Sequence, residues 1–237
     1  MEYRSLMVIL AHPDDESFPI GGTLAKYAAA GAYVTLITAT AGEHGVPEVA
    51  PDHAAAMRYA ELQAAAAALG IVEVRHLGYS DGAIDQAPPD EVRRRLRAFM
   101  VTHRPDAVIT FGPDGISGHP DHLAIHRLAT EAFDAADLPN TRLYYITPSE
   151  ATQQGCGVIS STAQTSGSVA AIDIGPFRVA KVRAMQCHVS QTPPFRGPPA
   201  EEAARLVCHE YFTLARPRIM ADATDCLFAP LTTAVPA

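Results

Sequence analysis

The stretch Leu-Met-Val-Ile-Leu-Ala-His-Pro-Asp-Asp-Glu, from Leu6 to Glu16, decides the fold class. Its first five residues, Leu6 to Leu10, form a continuous apolar run of the kind found in strands that are buried on both faces. The run then gives way to an imidazole and three carboxylates, which is typical of a loop at the end of a buried strand. We therefore expect a parallel β-strand here, with polar side chains at its carboxyl end.

Strand and helix patterns alternate after this first strand. This β-α alternation predicts an α/β fold: a Rossmann-like, mostly parallel sheet with helices on both faces. Ligands bind such sheets outside the carboxyl ends of the strands, so a site is expected in the loops after Leu10, Thr38, Leu77 and Phe111. Further strands are predicted at 33–38, 71–77, 106–111 and 143–146, and helices at 23–30, 52–69 (with Asp52 as its cap), 90–103 and 120–135.

The second half of the chain is less regular, and a single domain over residues 1–237 is expected. Residues 148–168 are rich in Ser, Thr, Gln and Gly, and four prolines lie between 191 and 199. We expect 148–168 and 189–199 to be loops that shape the pocket, together with 44–51 and 78–88, and 222–237 to be a loosely held tail. Strands are predicted at 169–174 and 211–215, and helices at 176–187 and 201–208.

Composition and charge exclude several classes of protein. Of the 237 residues, 48% are apolar and 19% charged, which predicts a packed core. The net charge of −8 argues against a nucleic-acid-binding surface, and no polybasic run suggests membrane binding. The longest early apolar run is too short for a signal sequence or a membrane span, and the four cysteines show no CxxC spacing. A reduced, cytoplasmic protein is expected.

Two short motifs concentrate the polar chemistry. The first is His12-Pro13-Asp14-Asp15-Glu16, whose adjacent acids repel one another unless a cation lies between them. The second is His119-Pro120-Asp121-His122, which follows the fourth strand and places two histidines three residues apart on one helical face. Taken alone, the first motif could be an acidic turn and the second a pair of solvated histidines. Together, at one sheet edge, they predict a metal site, because a catalytic zinc takes three protein ligands and leaves one position for water.

The sequence resembles the PIG-L/LmbE-like family of N-acetylglucosaminyl deacetylases. The resemblance is most specific in the segment from Ala11 to Gly45, which contains AHPDDE, and in SGHPDH, from Ser117 to His122. The segment RYAELQAAAAALG, from Arg58 to Gly70, and the segment from Lys181 to Gln191 also resemble the family's patterns. Members of this family are zinc-dependent enzymes that remove acetyl groups from N-acetylglucosamine conjugates, and they often form trimers or hexamers.

The resemblance implies a role for each residue of the two motifs. His12, Asp15 and His122 would be the ligands of one Zn²⁺ per chain. Asp14 would be the general base on the metal-activated water. His119 would polarise the carbonyl or stabilise the oxyanion as an imidazolium. Either Asp14 or His119 could protonate the departing amine, and the sequence does not choose between them.

Other residues have weaker signals. The resemblance implies that Asp121 orients His119 and that Arg58 contacts the substrate or the product acetate. Further substrate contacts are expected from residues that follow other strands or lie in the C-terminal pattern, although a turn or packing role is the alternative for each: Asp81, Glu43 and His188.

The reaction class leaves alternatives open. The expected substrate is a small amino-sugar conjugate, such as an N-acetylglucosamine conjugate of malate or inositol, or a chitooligosaccharide. A different amide conjugate, and a non-catalytic zinc- or sugar-binding protein, are the alternatives. Two histidines and a carboxylate are also the ligand set of iron oxygenases, but those enzymes favour an all-β barrel and HxD spacing.

Overall fold

A sheet of seven strands forms the centre of the computed structural model, which describes residues 4–147, 169–191, 196–217 and 224–229. In chain order the strands are β1 Ser5–Leu10, β2 Tyr33–Thr40, β3 Glu73–Tyr79, β4 Ala107–Phe111, β5 Arg142–Thr147, β6 Val169–Asp173 and β7 His209–Arg216. The order across the sheet is β3-β2-β1-β4-β5-β7-β6. Strands β1 to β5 pair in parallel, and β7 runs antiparallel to both of its neighbours.

Helices cover both faces of this sheet, as the alternating pattern predicts. The longer helices are α1 Gly21–Ala29, α2 Pro51–Leu69, α3 Pro89–His103, α4 Pro120–Ala136 and α5 Arg178–Cys187. Helices α1, α2 and α5 pack against one another, and α3 packs against α4. The connection from β1 to β2 and the connection from β4 to β5 proceed in opposite directions across the sheet, so right-handed crossovers place their helices on opposite faces.

Strand β1 explains why its sequence is apolar without alternation. It pairs with β2 on one side and β4 on the other, and each residue from Leu6 to Leu10 is at most 1% exposed. Both faces of this central strand are covered by helices, so every side chain must be apolar.

The strand order creates one crevice at the carboxyl edge of the sheet. The chain leaves β1, continues outward through β2 and β3, and then returns to place β4 beside β1. The loops that follow β1 and β4 therefore diverge from neighbouring strands, which is the arrangement that opens a ligand crevice in sheets of this kind. The first motif follows β1 and the second follows β4, so the two meet at this crevice.

The structure corrects several local expectations. Asp52 lies in the first turn of α2 and does not cap it: the helix starts after Ala50, and no side chain caps its first turn. A 3₁₀ turn, Gly175–Phe177, precedes α5 where a continuous helix was expected. The helix predicted at 201–208 is a short helix, Pro199–Glu202, followed by a 3₁₀ turn. The predicted loop at 148–168 and residues 192–195 lie outside the described residues.

The expectation of a loosely held tail is wrong for residues 224–229. Leu227 is fully buried, and its backbone N–H donates a hydrogen bond of 2.7 Å to Tyr27 Oη. The carbonyl oxygen of Leu227 accepts a hydrogen bond from Tyr144 Oη at 3.0 Å. Apolar burial and these backbone hydrogen bonds hold this segment against the body of the protein. Within the described parts of the chain, we find no helix with the length and apolarity that crossing a membrane requires.

Candidate functional site

The first histidine of the site is fixed by the end of β1. His12 is 7% exposed, and its backbone N–H donates to Asp15 Oδ2 at 2.8 Å. Two carboxylates flank its Nε2 atom: Asp121 Oδ2 at 3.0 Å and Asp81 Oδ1 at 3.1 Å. Carboxylates accept hydrogen bonds, so Nε2 carries a proton. The other ring nitrogen, Nδ1, faces away from these two carboxylates and toward His122 and Asp15.

The second histidine, His122, is oriented by a backbone carbonyl and an aromatic ring. Its Nδ1–H donates to the carbonyl oxygen of Gly115 at 2.9 Å, and its ring stacks on Phe111 at a centroid distance of 4.1 Å. Gly115 has φ +61°, and a Cβ atom there would lie 3.0 Å from the Cβ of His122. A glycine therefore suits both the turn and the close approach of the ring. Because Nδ1 is the donor, Nε2 of His122 presents its lone pair to the crevice.

Candidate ligand atoms from three residues converge in the crevice. Nε2 of His122 lies 3.2 Å from Nδ1 of His12 and 3.3 Å from Asp15 Oδ1, and Nδ1 of His12 lies 3.5 Å from Asp15 Oδ2. Ligand atoms at tetrahedral zinc are about 3.3 Å apart, given bond lengths of about 2.0–2.1 Å. The donor set and its spacing therefore fit a divalent metal ion.

Two other groups of residues near His12 also have ligand atoms close enough to hold a metal. One joins His12 to His119 and His122, and the other joins His12 to Asp81 and Asp121. In the second group, both carboxylates lie within hydrogen-bond distance of Nε2 of His12, where a protonated Nε2 would donate to them.

Neighbouring charges shift the pKa values of these residues strongly. Burial lowers the pKa of His12, but hydrogen bonds with surrounding carboxylates, Asp121 first, outweigh burial and raise this pKa to about 12. Burial raises the pKa of Asp15, but the charge of His122 and hydrogen bonds with both histidines hold it well below its usual range. The carboxylates are thus ionised, and their negative charge favours a cation, which would have to displace a proton from His12.

Asp14 stands beside this cluster in an unusual backbone conformation. Its φ of +107° lies in the region that a residue with a side chain rarely adopts. One carboxylate oxygen, Oδ2, accepts a hydrogen bond from Arg58 Nη2 at 3.1 Å. Burial raises the pKa of Asp14 to about 7, with the charge of Asp15 adding to the shift and that of Arg58 opposing it. A bound cation would act in the same direction as Arg58.

The structure gives Asp121 a different contact from the expected one. Its carboxylate accepts backbone hydrogen bonds from Gly82 at 2.7 Å and Ile84 at 3.1 Å, and it contacts His12. It does not hydrogen-bond to the His119 side chain, as expected from the sequence; the two residues are joined instead by the backbone N–H of Asp121, which donates to His119 Nδ1 at 3.2 Å. The physical reason is helix capping: His119 precedes α4 and accepts a hydrogen bond from its first turn.

This cap also fixes the protonation of His119. A nitrogen that accepts an N–H carries no proton, so Nδ1 is bare and Nε2 carries the hydrogen. Burial and the charges of His12 and His122 lower the pKa of His119. The exposed His119 ring lies 4.7 Å from that of His12, measured between centroids. The structure therefore favours a neutral N–H donor over the expected imidazolium.

Hydrogen bonds join the loop after β2 to the loop after β3. Glu43 Oε1 accepts the backbone N–H of Asp81 at 2.8 Å, and Asp81 Oδ2 accepts the backbone N–H of His44 at 3.0 Å. Burial raises the pKa of Asp81, but the hydrogen bond with His12 prevails and lowers it to about 2. Both Glu43 and Asp81 lie at the predicted edge of the sheet. Their contact with substrate stays a prediction.

Two of the expected substrate contacts are buried under the site. Arg58 is 3% exposed, and it donates to the carbonyl oxygens of Pro13 at 2.5 Å and Gly42 at 2.9 Å as well as to Asp14.

His188 is fully buried against Glu16, whose Oε1 lies 2.6 Å from His188 Nε2. This burial fits the packing alternative for His188, and its contact with a substrate stays a prediction. Sequence reasoning gave Glu16 no role, although its place in the acidic run could have indicated one.

The fold and this cluster define the chain as a doubly wound α/β protein with a histidine–carboxylate site at its central crevice. The family model PIG-L, described as GlcNAc-PI de-N-acetylase, matches residues 7–133, more than half of the chain. The chain belongs to the PIG-L family.

Relatives with assigned activities are similar over most of the chain. A protein of Mycolicibacterium gilvum named 1D-myo-inositol 2-acetamido-2-deoxy-alpha-D-glucopyranoside deacetylase is 35% identical over 235 aligned positions, covering 81% of this chain and 82% of that protein. A Catenulispora acidiphila protein named as deacetylase 2 for the same compound is 42% identical, over 57% of this chain and about half (53%) of that protein.

A solved structure has the same fold. The N,N'-diacetylchitobiose deacetylase of Pyrococcus horikoshii, in complex with an inhibitor, matches with a TM-score of 0.67 at 25% identity. The match covers 90% of this chain and 84% of that one, so the architecture is shared over nearly the whole protein.

Proposed function

We propose that this protein is a metal-dependent hydrolase that removes the N-acetyl group from an N-acetylglucosamine conjugate. The observation that carries the proposal is the convergence of ligand atoms from His12, Asp15 and His122, with Asp14 preceding Asp15 in the same loop. Membership of the PIG-L family and the activities named for the relatives support the acetyl group and the sugar. Because two relatives are named for an inositol conjugate, that conjugate is the first substrate to test.

The metal would be held by Nδ1 of His12, Nε2 of His122 and the carboxylate of Asp15. Two imidazoles and a carboxylate suit Zn²⁺, and three protein ligands leave room for water and substrate. When bound, Zn²⁺ would polarise the amide carbonyl and lower the pKa of a water molecule to near 7. Asp81 and Asp121 would hold the His12 ring in the orientation that directs Nδ1 at the metal.

Asp14 would serve as the general base. It neighbours Asp15, but its own carboxylate is engaged by Arg58 rather than by the ligand histidines. Burial raises the pKa of Asp14, and a bound cation would lower it again, so that the carboxylate would be ionised and able to take a proton from water at neutral pH. Asp14 accepts the water proton as the oxygen attacks the carbonyl carbon.

His119 would stabilise the negative charge that develops on the carbonyl oxygen. It lies at the start of α4 next to His12, and the cap at Nδ1 leaves its Nε2–H free to donate. In this neutral form His119 donates a hydrogen bond but does not act as the acid that protonates the leaving group. Asp14 therefore passes the proton taken from water to the departing nitrogen as the C–N bond breaks, which yields acetate and a free amine.

The test measures acetate release and zinc content together. Zinc-loaded protein is assayed with the inositol and malate conjugates of N-acetylglucosamine and with N,N'-diacetylchitobiose. The matched variants are Asp14→Asn and Asp15→Asn, the same change at adjacent residues. We expect Asp14→Asn to keep one zinc per chain and to lose about 10²–10⁴-fold in kcat. We expect Asp15→Asn to lose the zinc.

Other outcomes would change the assignment. Zinc-loaded wild-type protein that releases no acetate from any of these conjugates would contradict the de-N-acetylase activity. A second pair addresses His119: His119→Ala should lower kcat about 10²–10³-fold with zinc retained, because it removes one oxyanion donor. The corresponding His122→Ala should abolish zinc binding. Loss of zinc in His119→Ala would place His119 among the ligands instead.

A further inference from the structure

The loop that carries Asp14 is tied to the C-terminal half of the chain by a buried ion pair. Glu16 and His188 are both fully buried, and Glu16 Oε1 lies 2.6 Å from His188 Nε2. The same oxygen accepts a hydrogen bond of 2.5 Å from Ser17 Oγ. The other oxygen, Oε2, accepts the backbone N–H of Asp14 at 3.0 Å. One carboxylate thus connects His188 to the backbone of Asp14.

The conformation of Asp14 requires such support. A φ of +107° is strained for a residue with a side chain and persists only where its surroundings enforce it. The carbonyl oxygen of Asp14 accepts the N–H groups of Ser17 and Phe18, and Arg58 holds its carboxylate. Its own N–H is held by Glu16 alone among the described contacts.

His188 in turn fixes the carboxylate of Glu16. It follows the last turn of α5, which packs against α1 and α2 beneath the crevice. Within the described part of the chain, its other ring nitrogen, Nδ1, is buried without a hydrogen-bond partner. The hydrogen bond of this imidazole is therefore made to Glu16, and without it the buried carboxylate would keep only the donors from Ser17 and Asp14.

We propose that His188 is a positioning residue for Asp14, acting through the carboxylate of Glu16. The inference rests on the proposed function, in which Asp14 is the general base. His188 does not touch the substrate: it holds Glu16, Glu16 holds the Asp14 backbone, and the Asp14 carboxylate is thereby kept at the reacting water. Displacement of a catalytic group by about 1 Å is enough to cost about 10²-fold in rate.

The test compares two substitutions that differ in one hydrogen bond. His188→Leu fills the space without a donor, and His188→Gln keeps an N–H donor near the position of Nε2. We expect His188→Leu to lower kcat about 10²-fold with KM within about threefold, and His188→Gln to restore most of kcat. Zinc content should be unchanged in both. If His188→Leu fails to fold, His188→Met takes its place and the same outcomes apply.

A second buried pair on the same helix provides a matched control. Lys181 Nζ lies 2.6 Å from Glu210 Oε1, and both side chains are almost fully buried, but Glu210 holds the start of α1 rather than Asp14. Lys181→Met should lower the thermal stability and leave kcat within about threefold. An equal loss of kcat in Lys181→Met would overturn the proposal, because the effect would then be a general loss of stability.

Amide hydrogen exchange separates this proposal from the proposed function. Exchange of the Asp14 amide needs no substrate, so it reports the link even if the wild-type protein releases no acetate. We expect the Asp14 amide to exchange at least about tenfold faster in His188→Leu than in the wild type or His188→Gln. Unchanged exchange, unchanged kcat, or a rise in KM alone would each overturn the positioning role.

Discussion

The Nε2 atom of His12 lies 3.0 Å from Oδ2 of Asp121, a carboxylate that also accepts the backbone N–H groups of Gly82 and Ile84. The Asp121 side chain is fully buried, so its position is defined by the loop after β3 as well as by α4. This carboxylate keeps a proton on Nε2 of His12, so in the proposed site Nδ1 would be the atom that binds the metal.

Weakening this contact should weaken metal binding. Asp121→Asn removes the negative charge that faces the imidazole, and we expect zinc affinity to fall about 10–100-fold. Competition with a chromophoric chelator measures the change. Asp134→Asn, at an exposed carboxylate that pairs with Arg216, makes the same substitution far from the site and should leave the affinity unchanged. Unaltered affinity in Asp121→Asn would show that Asp81 alone suffices to orient the ring.

Zinc affinity should rise with pH. The pKa of His12 is raised to about 12 in the metal-free protein, so both ring nitrogens hold protons at neutral pH. A metal displaces one of these protons, and affinity should therefore increase by about tenfold per pH unit between pH 6 and 8. Chelator competition at pH 6, 7 and 8 measures this slope. A flat profile would mean that His12 is already neutral before the metal binds.

Arg58 should affect turnover and stability more than substrate binding. Its guanidinium holds the carbonyl oxygens of Pro13 and Gly42 and the carboxylate of Asp14. Arg58→Met leaves these groups without their donor, so we expect a loss of about 2 kcal/mol in urea unfolding and a fall in kcat with little change in KM. Arg127→Met, at an exposed arginine of α4, should change stability by less than about 0.5 kcal/mol. A rise in KM alone would restore the substrate contact expected from the sequence.

At the start of α1, alanine at Gly22 should destabilise the protein, whereas alanine at Gly21 should be tolerated. A Cβ atom at Gly22 would lie 2.6 Å from the Cβ and Cδ1 atoms of the buried Ile174. Overpacking should outweigh the gain of about 1 kcal/mol in helix propensity, for a net cost of about 2 kcal/mol. At Gly21 the nearest atom is Cγ of Lys181, a side chain that can shift, at 3.3 Å. Gly21→Ala should therefore stay within about 1 kcal/mol in the same unfolding assay.

Much of the site could be predicted because its signals are local. The apolar run from Leu6 to Leu10 predicts a strand buried on both faces, and the motif that follows it must leave at the carboxyl end. The HxxH spacing brings His119 and His122 to the start of one helix, with ring centroids 5.2 Å apart. Each of these inferences depends on residues that are neighbours along the chain, where backbone geometry limits the alternatives.

Side-chain partners between distant segments could not be predicted. Asp121 was expected to contact its neighbour His119, but it contacts His12, which lies 109 residues away. His188 was expected near a substrate, but it is buried on Glu16, 172 residues away. No periodicity in the sequence encodes such pairs, because they form only when packing brings separate segments together.

By itself, the sequence determined the alternation of strands and helices, the buried central strand, and the two polar motifs that carry the chemistry. Only the tertiary structure decided that β4 lies beside β1, so that the two motifs face one crevice. It also decided which carboxylates orient His12 and which hold the loop of Asp14. The physical reason is that hydrophobic periodicity specifies local elements, whereas strand order and buried polar pairs depend on how these elements pack over the whole chain.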